Sequence, residues 1–354
     1  MAATDRGGFD VMELERRYRR LLRVLPDFYR RAWEEDMVAT FLAGALPEDP
    51  EDAEFTAEYG RPDWSEVASI VALAVRLRVG GAGAPARSLA WGEAVRRVAL
   101  AGLLAHAVNA LAGLGALLWS PSRFGGHGVP DQDVVVWSLF GLGWVAAYLA
   151  LVFGRWHQAR QFAGLSLLVV AISAGVDLVV TDGAYLLSRG VGLLVVAVPV
   201  LALVAFHDQA LPVRPRPWLV ALPVGTVLVT VVLLATQYPG GGNLVDWPGL
   251  ACGAVFAAAL AYQVAPTAGW GSPSWPAALV LLAVATLVLR AITLLDYLQH
   301  TPAPERNPLI TAALVEGIAV LVVAVPLALR AIRTFRILPT ATDPFAPSPA
   351  RPDA

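Results

Sequence analysis

The sequence predicts an all-α protein, a polytopic transmembrane helix bundle of about eight spans preceded by a small N-terminal cytosolic three-helix domain. Three observations predict it. The chain is 57% hydrophobic and only 15% charged, whereas soluble domains run at about 45–50% apolar and about 25% charged. From Val98 to Arg330, apolar blocks follow one another with short connectors, each close to the roughly 20 residues that cross a bilayer. Ahead of residue 98 the pattern changes to charged and apolar residues interleaved at helical spacing.

Composition sets further bounds. The formal net charge is −2 and every basic residue is Arg, so bulk charge argues for no direct nucleic-acid partner. The single cysteine, Cys252, lies inside an apolar block, which excludes a disulfide framework or a cysteine metal cluster within one chain. The first apolar block follows a long charged region, so it is expected to direct insertion itself in place of a cleaved signal peptide.

Residues 1–87 form the expected helical domain. Val11, Leu14, Tyr18, Leu21, Leu22 and Leu25 recur at helical spacing, with Arg16, Arg17, Arg19, Arg20 and Arg23 mostly on the other faces. Pro26 ends that helix, because it lacks an N–H and disfavours helix at the residue before it. A second helix is expected to about residue 46, with Tyr29, Trp33, Met37 and Phe41 on one stripe. An acidic connector follows over 47–62. Asp63 and Glu66 form a capping-box signal for a third helix, whose stripe is Trp64, Val67, Ile70, Val71, Ala74 and Leu77. Gly80, Gly81, Gly83 and Pro85 read as a hinge, and residues 88–97 as a linker helix. Residues 1–97 carry 17 Asp or Glu against 14 Arg; the Arg cluster therefore reads as a solvated helix face beside an anionic leaflet more than as a nucleic-acid site.

The stretch from Tyr18 to Leu42 carries a family resemblance. Its carriers are the Arg-rich first helix, the Leu-Pro-x-x-Tyr-Arg turn at Leu25 to Arg30, Glu34-Glu35-Asp36-Met37, Arg61-Pro62 and Arg76-Leu77-Arg78. It resembles the permease-prefix and HAAS-type domains that precede multi-pass segments in actinobacterial membrane proteins, the latter associated with PadR-type transcription regulators. The resemblance covers roughly residues 9–80. It implies a signalling or interaction domain whose cytosolic partner is a PadR-type regulator or an ABC ATPase, and it implies no active site.

Spans are expected at 98–119, 133–153, 161–180, 187–206, 218–236, 247–265, 276–298 and 309–330. The third and fourth could be one long block, but Thr181-Asp182-Gly183 is a turn signal that separates them. Arg96, Arg97, Arg155, Arg160, Arg214, Arg216, Arg330, Arg333 and Arg336 all fall on one side of an eight-span topology, which puts both termini in the cytosol and the chain in the plasma membrane. Trp119, Trp137, Trp218, Trp247 and Trp275 lie near span ends, where an indole sits at headgroup level. Pro199, Pro223 and Pro326 lie within spans and are expected to kink them. Gly249, Gly253, Ala257 and Ala261 make one small-residue face, for packing inside the bundle or between two copies. The tail over 331–354 is rich in Pro and Ala and is expected to be disordered.

Ionisable residues inside spans are costly and point to function by default. Arg290 and Glu316 reach similar depths from the same side, which predicts a pair between the last two spans. Asp177 is placed to meet Arg189 across the short turn between the third and fourth spans. His106 and Asn109 share a face of the first span, and Asp296 sits at the end of the seventh. Two readings stand: a sensing or transport site around Arg290, Glu316 and Asp177, or structural pairing that fixes helix register.

The sequence has no Walker A motif, HExxH, GxSxG or dinucleotide fingerprint. His127, His157, His207 and His300 fall in separate connectors, so they do not make one metal site, and no cofactor is expected. The leading expectation is a non-enzymatic membrane protein, a sensor or anchor whose cytosolic domain binds a partner. The alternative is a transporter or permease component using the intramembrane charges.

Overall fold

The structure is a computed structural model that describes residues 7–45, 47, 49, 52, 55, 56, 59–81, 84–119, 139–180, 186–207, 212–236, 246–264, 272 and 274–339. All regular elements among them are helical. Two units divide the chain, one from residues 1–92 with 338–354 and one from residues 93–337.

In the first unit, α1 (Gly7–Leu22), α2 (Asp27–Ala45) and α3 (Trp64–Arg78) enclose a core of Tyr18, Leu22, Leu25, Val38, Ile70, Ala74 and Leu77. The chain leaves α1 through i→i+3 bonds, Val24 N–H to Leu21 and Leu25 N–H to Leu22 at 3.1 and 2.9 Å, and Pro26 then turns it into α2. Tyr18 ties the three helices together. Its ring stacks on Phe41 of α2 with centroids 3.9 Å apart, and its hydroxyl donates to Glu66 Oε1 of α3 at 2.8 Å.

Asp63 caps α3 as expected, accepting from Trp64 N–H at 2.8 Å and from the Ser65 hydroxyl at 3.0 Å. Glu66, the expected return arm of the capping box, turns its carboxylate to Tyr18. The α3 stripe is narrower than its apolar residues suggested: Ile70, Ala74 and Leu77 are buried, while Trp64 and Val71 are exposed. α3 ends at Gly80, whose φ of 92° is the left-handed conformation open to glycine. Gly81 N–H bonds Arg76 C=O and Gly80 N–H bonds Leu77 C=O, the two bonds of a Schellman cap.

The arginines of α1 are held within this domain. Arg19 meets Glu15 at 2.7 Å and Glu35 at 2.8 Å, Arg16 and Arg17 meet Glu13, and Arg17 also donates to Gly60 C=O. Arg78 donates to Val24 C=O at 2.7 Å.

The second unit is a transmembrane bundle. Seven helices among the described residues are long and apolar enough to cross a membrane. They are α4 (Ala86–Trp119), α6 (Trp156–Val180), α7 (Leu186–Ala202), α8 (Pro215–Thr236), α9 (Trp247–Val264), α10 (Ser274–His300) and α11 (Ala303–Ile337). Between α4 and α6 lies the shorter apolar helix α5 (Leu142–Val152). The second expected span, 133–153, lies partly outside the described residues, as does Trp137. The expected linker helix and first span are one helix, α4, with no break at residue 97. The last helix continues seven residues past Arg330, to Ile337; the rest of the expected tail, from residue 340, lies outside the described residues.

α5, α6 and α7 pack in sequence order, and α9, α10 and α11 each touch the other two. The α5–α6 turn is a second Schellman cap, with Gly154 at φ 77° and Arg155 N–H bonded to Ala150 C=O. Arg160 closes the far end of α7, donating to Leu203 and Phe206 C=O at 3.0 and 2.8 Å while its guanidinium lies over Trp156. The main core gathers Leu103, Ala107, Tyr148, Leu151, Ala163 and Leu203. Two glycines allow close approach: Gly102 of α4 meets the ring of buried Pro199, and Gly225 of α8 meets Val108. Outward faces are apolar, with Leu165, Leu168, Ile172 and Val176 on α6 and Val220, Val224, Val227 and Val231 on α8. Stripes of that length are aggregation-prone in water and match a hydrocarbon surrounding.

Of the expected small-residue face on α9, only Gly249 packs inside the bundle. Cys252, Val255 and Ala259 are the buried set, and Gly253, Ala257 and Ala261 point outward.

Candidate membrane charge cluster

Arg290 lies in α10, whose neighbouring residues Thr286 and Leu289 are also buried. Only 4% of its side chain is exposed, the deepest burial of any charged group among the described residues. A guanidinium so placed needs opposite charge close by. It has two carboxylates. Nη1 lies 2.5 Å from Asp246 Oδ2 and Nη2 lies 2.5 Å from Glu316 Oε2.

Local structure explains why these residues meet. Asp246 stands one residue before α9, where its Oδ1 accepts from Gly249 N–H at 2.7 Å. That is a side-chain N-cap, which satisfies a free N–H of the first turn. α9 has only 18 residues, whereas α10 runs ten residues beyond Arg290. The start of α9 is therefore level with Arg290, well inside the ends of its neighbours. Glu316 approaches from α11 and lies against Gly249, where a Cβ would stand 2.8 Å from its Oε1. Tyr297, two turns beyond Arg290 on α10, donates its hydroxyl to Asp246 Oδ2.

Saturation is uneven. Asp246 receives donors from Gly249, Arg290 and Tyr297. Glu316 Oε2 is buried and makes no aligned hydrogen bond despite its close contact with Arg290, and Arg290 Nε is likewise without a hydrogen-bond partner. The arrangement is one cation held between an occupied carboxylate and a less occupied one.

The other expected site residues fall elsewhere. Asp177 and Arg189 pair at 3.3 Å between α6 and α7, both with side chains roughly half exposed. His106 lies 4.6 Å from the Trp144 ring and 6.3 Å from Trp247, an aromatic setting. Asn109 is exposed. At another place Glu93 accepts from Ser272 at 3.1 Å and pairs with Arg97, whose guanidinium covers Trp275 at 4.4 Å.

Sequence reasoning missed Asp246 and Tyr297. Asp246 stands one residue outside the expected span, so a search restricted to spans passes it by. Its signal was there: an Asp directly before Trp247-Pro248 is a helix start. Tyr297 escapes a search for charges because it is neutral. No family model matches this chain, and neither curated proteins nor solved structures show a match.

Proposed function

We propose that the protein is a non-enzymatic integral membrane protein of the plasma membrane whose N-terminal domain docks a cytosolic partner. The observation that carries this reading is in the first unit. That domain has its own core, yet Trp33 and Trp64 are 51% and 84% exposed. Beside Trp33 opens a cavity of about 780 Å³ lined by Leu14, Trp33, Met37 and Phe41, with Asp36, Asp63 and Glu66 outnumbering Arg61 among its walls. Exposed aromatics beside an apolar groove mark interaction surfaces, since Trp is favoured as a buried anchor in protein contacts. The acidic wall suits an amphipathic helix with a basic flank, laid in the groove by its apolar face. The resemblance to prefix domains supports a PadR-type regulator or an ABC ATPase as the protein that brings it, and both chain termini would then face the cytosol.

The test is affinity purification of the solubilised full-length protein, with mass spectrometry, beside W33A and a form lacking residues 1–85. A regulator captured by the wild type and lost from both variants supports the sensor reading. Absence of any regulator or ATPase in the wild-type sample counts against docking. The alternative, a transporter component, is favoured by the Asp246–Arg290–Glu316 cluster, and an ATPase as the captured partner would select it.

A further inference from the structure

Asp246, Arg290 and Glu316 bring two carboxylates to one guanidinium, so the cluster carries one net negative charge when both acids are ionised. Such a charge within a membrane bundle is costly unless a further positive charge balances it. Three facts decide what that charge is and where it goes. The Asp246 acceptor positions are taken up by Gly249 N–H, Arg290 Nη1–H and the Tyr297 hydroxyl, so a hydrogen added there would face donors. Glu316 has one close partner, Arg290 Nη2 at its Oε2, and that contact is not aligned as a hydrogen bond, whereas Asp246 has three donors. Gly249 lies so close to Glu316 that a single Cβ would collide with both of its oxygens, at 2.8 and 3.0 Å. On the Gly249 side, therefore, Glu316 has no room for a hydrated ion.

We infer that Glu316 is a proton-binding site. A hydronium ion gives up one proton: its O–H bond breaks to leave water, an O–H bond forms on the Glu316 carboxylate, and the cluster passes from one net negative charge to neutral. Nothing is oxidised or reduced. The charged and titratable groups around it are Asp246 and the buried Cys252 thiol with α9 and Arg290 on α10, with Tyr297 one hydrogen bond removed through Asp246. From α4, His106 approaches this end through its ring contact with Trp247. The α9–α11 contact at Gly249 is the element that the proton biases, because the charge of Glu316 is presented directly to the first turn of α9. This goes beyond partner docking and does not depend on it.

The test uses full-length protein in lipid vesicles and infrared difference spectra between acid and alkaline buffer. The other carboxyl groups of the chain titrate in every variant, so the signal is the protonated-carboxyl C=O component left when the E316Q spectrum is subtracted from that of the wild type. That component is expected to titrate, and, in D246N minus D246N/E316Q, to persist with its midpoint at lower pH, since D246N already removes one negative charge. Replacing K⁺ by Na⁺ is expected to leave it unchanged. Absence of the component, the same midpoint with and without D246N, or suppression by Na⁺ at fixed pH overturns the proposal. The side-chain amide introduced by E316Q matches the protonated acid in shape and charge, so this variant is expected to melt close to the wild type; its failure to fold also overturns the proposal. Partner capture through residues 1–85 is read separately, so either conclusion can fail alone.

Discussion

Gly249 of α9 and Glu316 of α11 face each other at the limit of van der Waals contact, with the site of a Cβ only 2.8 Å from Glu316 Oε1 and equally close to Asp246 Oδ1. Both carboxylates are held by Arg290 and cannot simply swing away. G249A is therefore expected to destabilise the bundle by about 1–3 kcal/mol, the usual cost of overpacking. G253A, one turn further and with open space at its Cβ position, is expected to stay within about 0.5 kcal/mol of the wild type. Thermal melting of both variants in one detergent checks the difference.

Removing the cation is the harsher change. R290M leaves two carboxylates facing each other in a buried setting, and breaking such a pair costs about 3–5 kcal/mol. The triple variant D246N/R290M/E316Q removes the stranded charges as well and is expected to recover much of that loss. A triple variant no more stable than R290M would show that packing, and not charge, sets the role of Arg290.

Gly102 gives a test far from the charges. A Cβ there would stand 2.5 Å from Pro199 Cβ, against a ring that has no other rotamer to adopt. G102A is expected to push α4 from α7 and to cost about 1–3 kcal/mol. Gly113, on the same helix with nothing near its Cβ position, is the control, and G113A is expected to be silent in the same melting assay.

Tyr18 predicts a pH dependence in the N-terminal domain. Burial and the neighbouring Glu66 carboxylate raise its hydroxyl above the ordinary tyrosine range, so the folded domain keeps this proton more tightly than the unfolded chain. The contribution is fully present below the unfolded value of about 10 and is lost as pH rises above it. Hydrogen exchange of α1 and α3 in the full-length protein is expected to quicken above that pH beyond the intrinsic rate. Y18F is expected to remove this extra step while losing about 1 kcal/mol with the hydrogen bond to Glu66. A wild-type profile identical to that of Y18F would exclude this origin.

Much of the architecture was legible because it rests on local patterns. The apolar runs, the stop at Pro26, the Asp63 cap and the pairing of Arg290 with Glu316 follow from spacing, helix rise and the cost of a lone charge. Other features were not legible for a definite reason. Tyr29, Met37 and Phe41 of one expected stripe and Ile70, Ala74 and Leu77 of the other do pack on the core, but Trp33 and Trp64 of the same stripes are exposed. Gly253, Ala257 and Ala261 have the spacing of a packing face, yet α9 turns Cys252, Val255 and Ala259 inward. Which face of an apolar helix is buried depends on its neighbours, and in a membrane span hydrophobicity no longer marks the inside.

That this chain is helical, that its central part crosses a membrane repeatedly and that a polar domain precedes it can be read from the residues alone. Length, composition and periodicity are enough for that, because a bilayer demands long apolar helices with internally satisfied backbones. That Asp246 joins Arg290 and Glu316 follows from how the helices assemble, since α9 begins well inside the ends of α10 and α11. The depth at which one helix starts beside another is a property of packing. It places a third charge in the cluster and leaves two acids sharing one base.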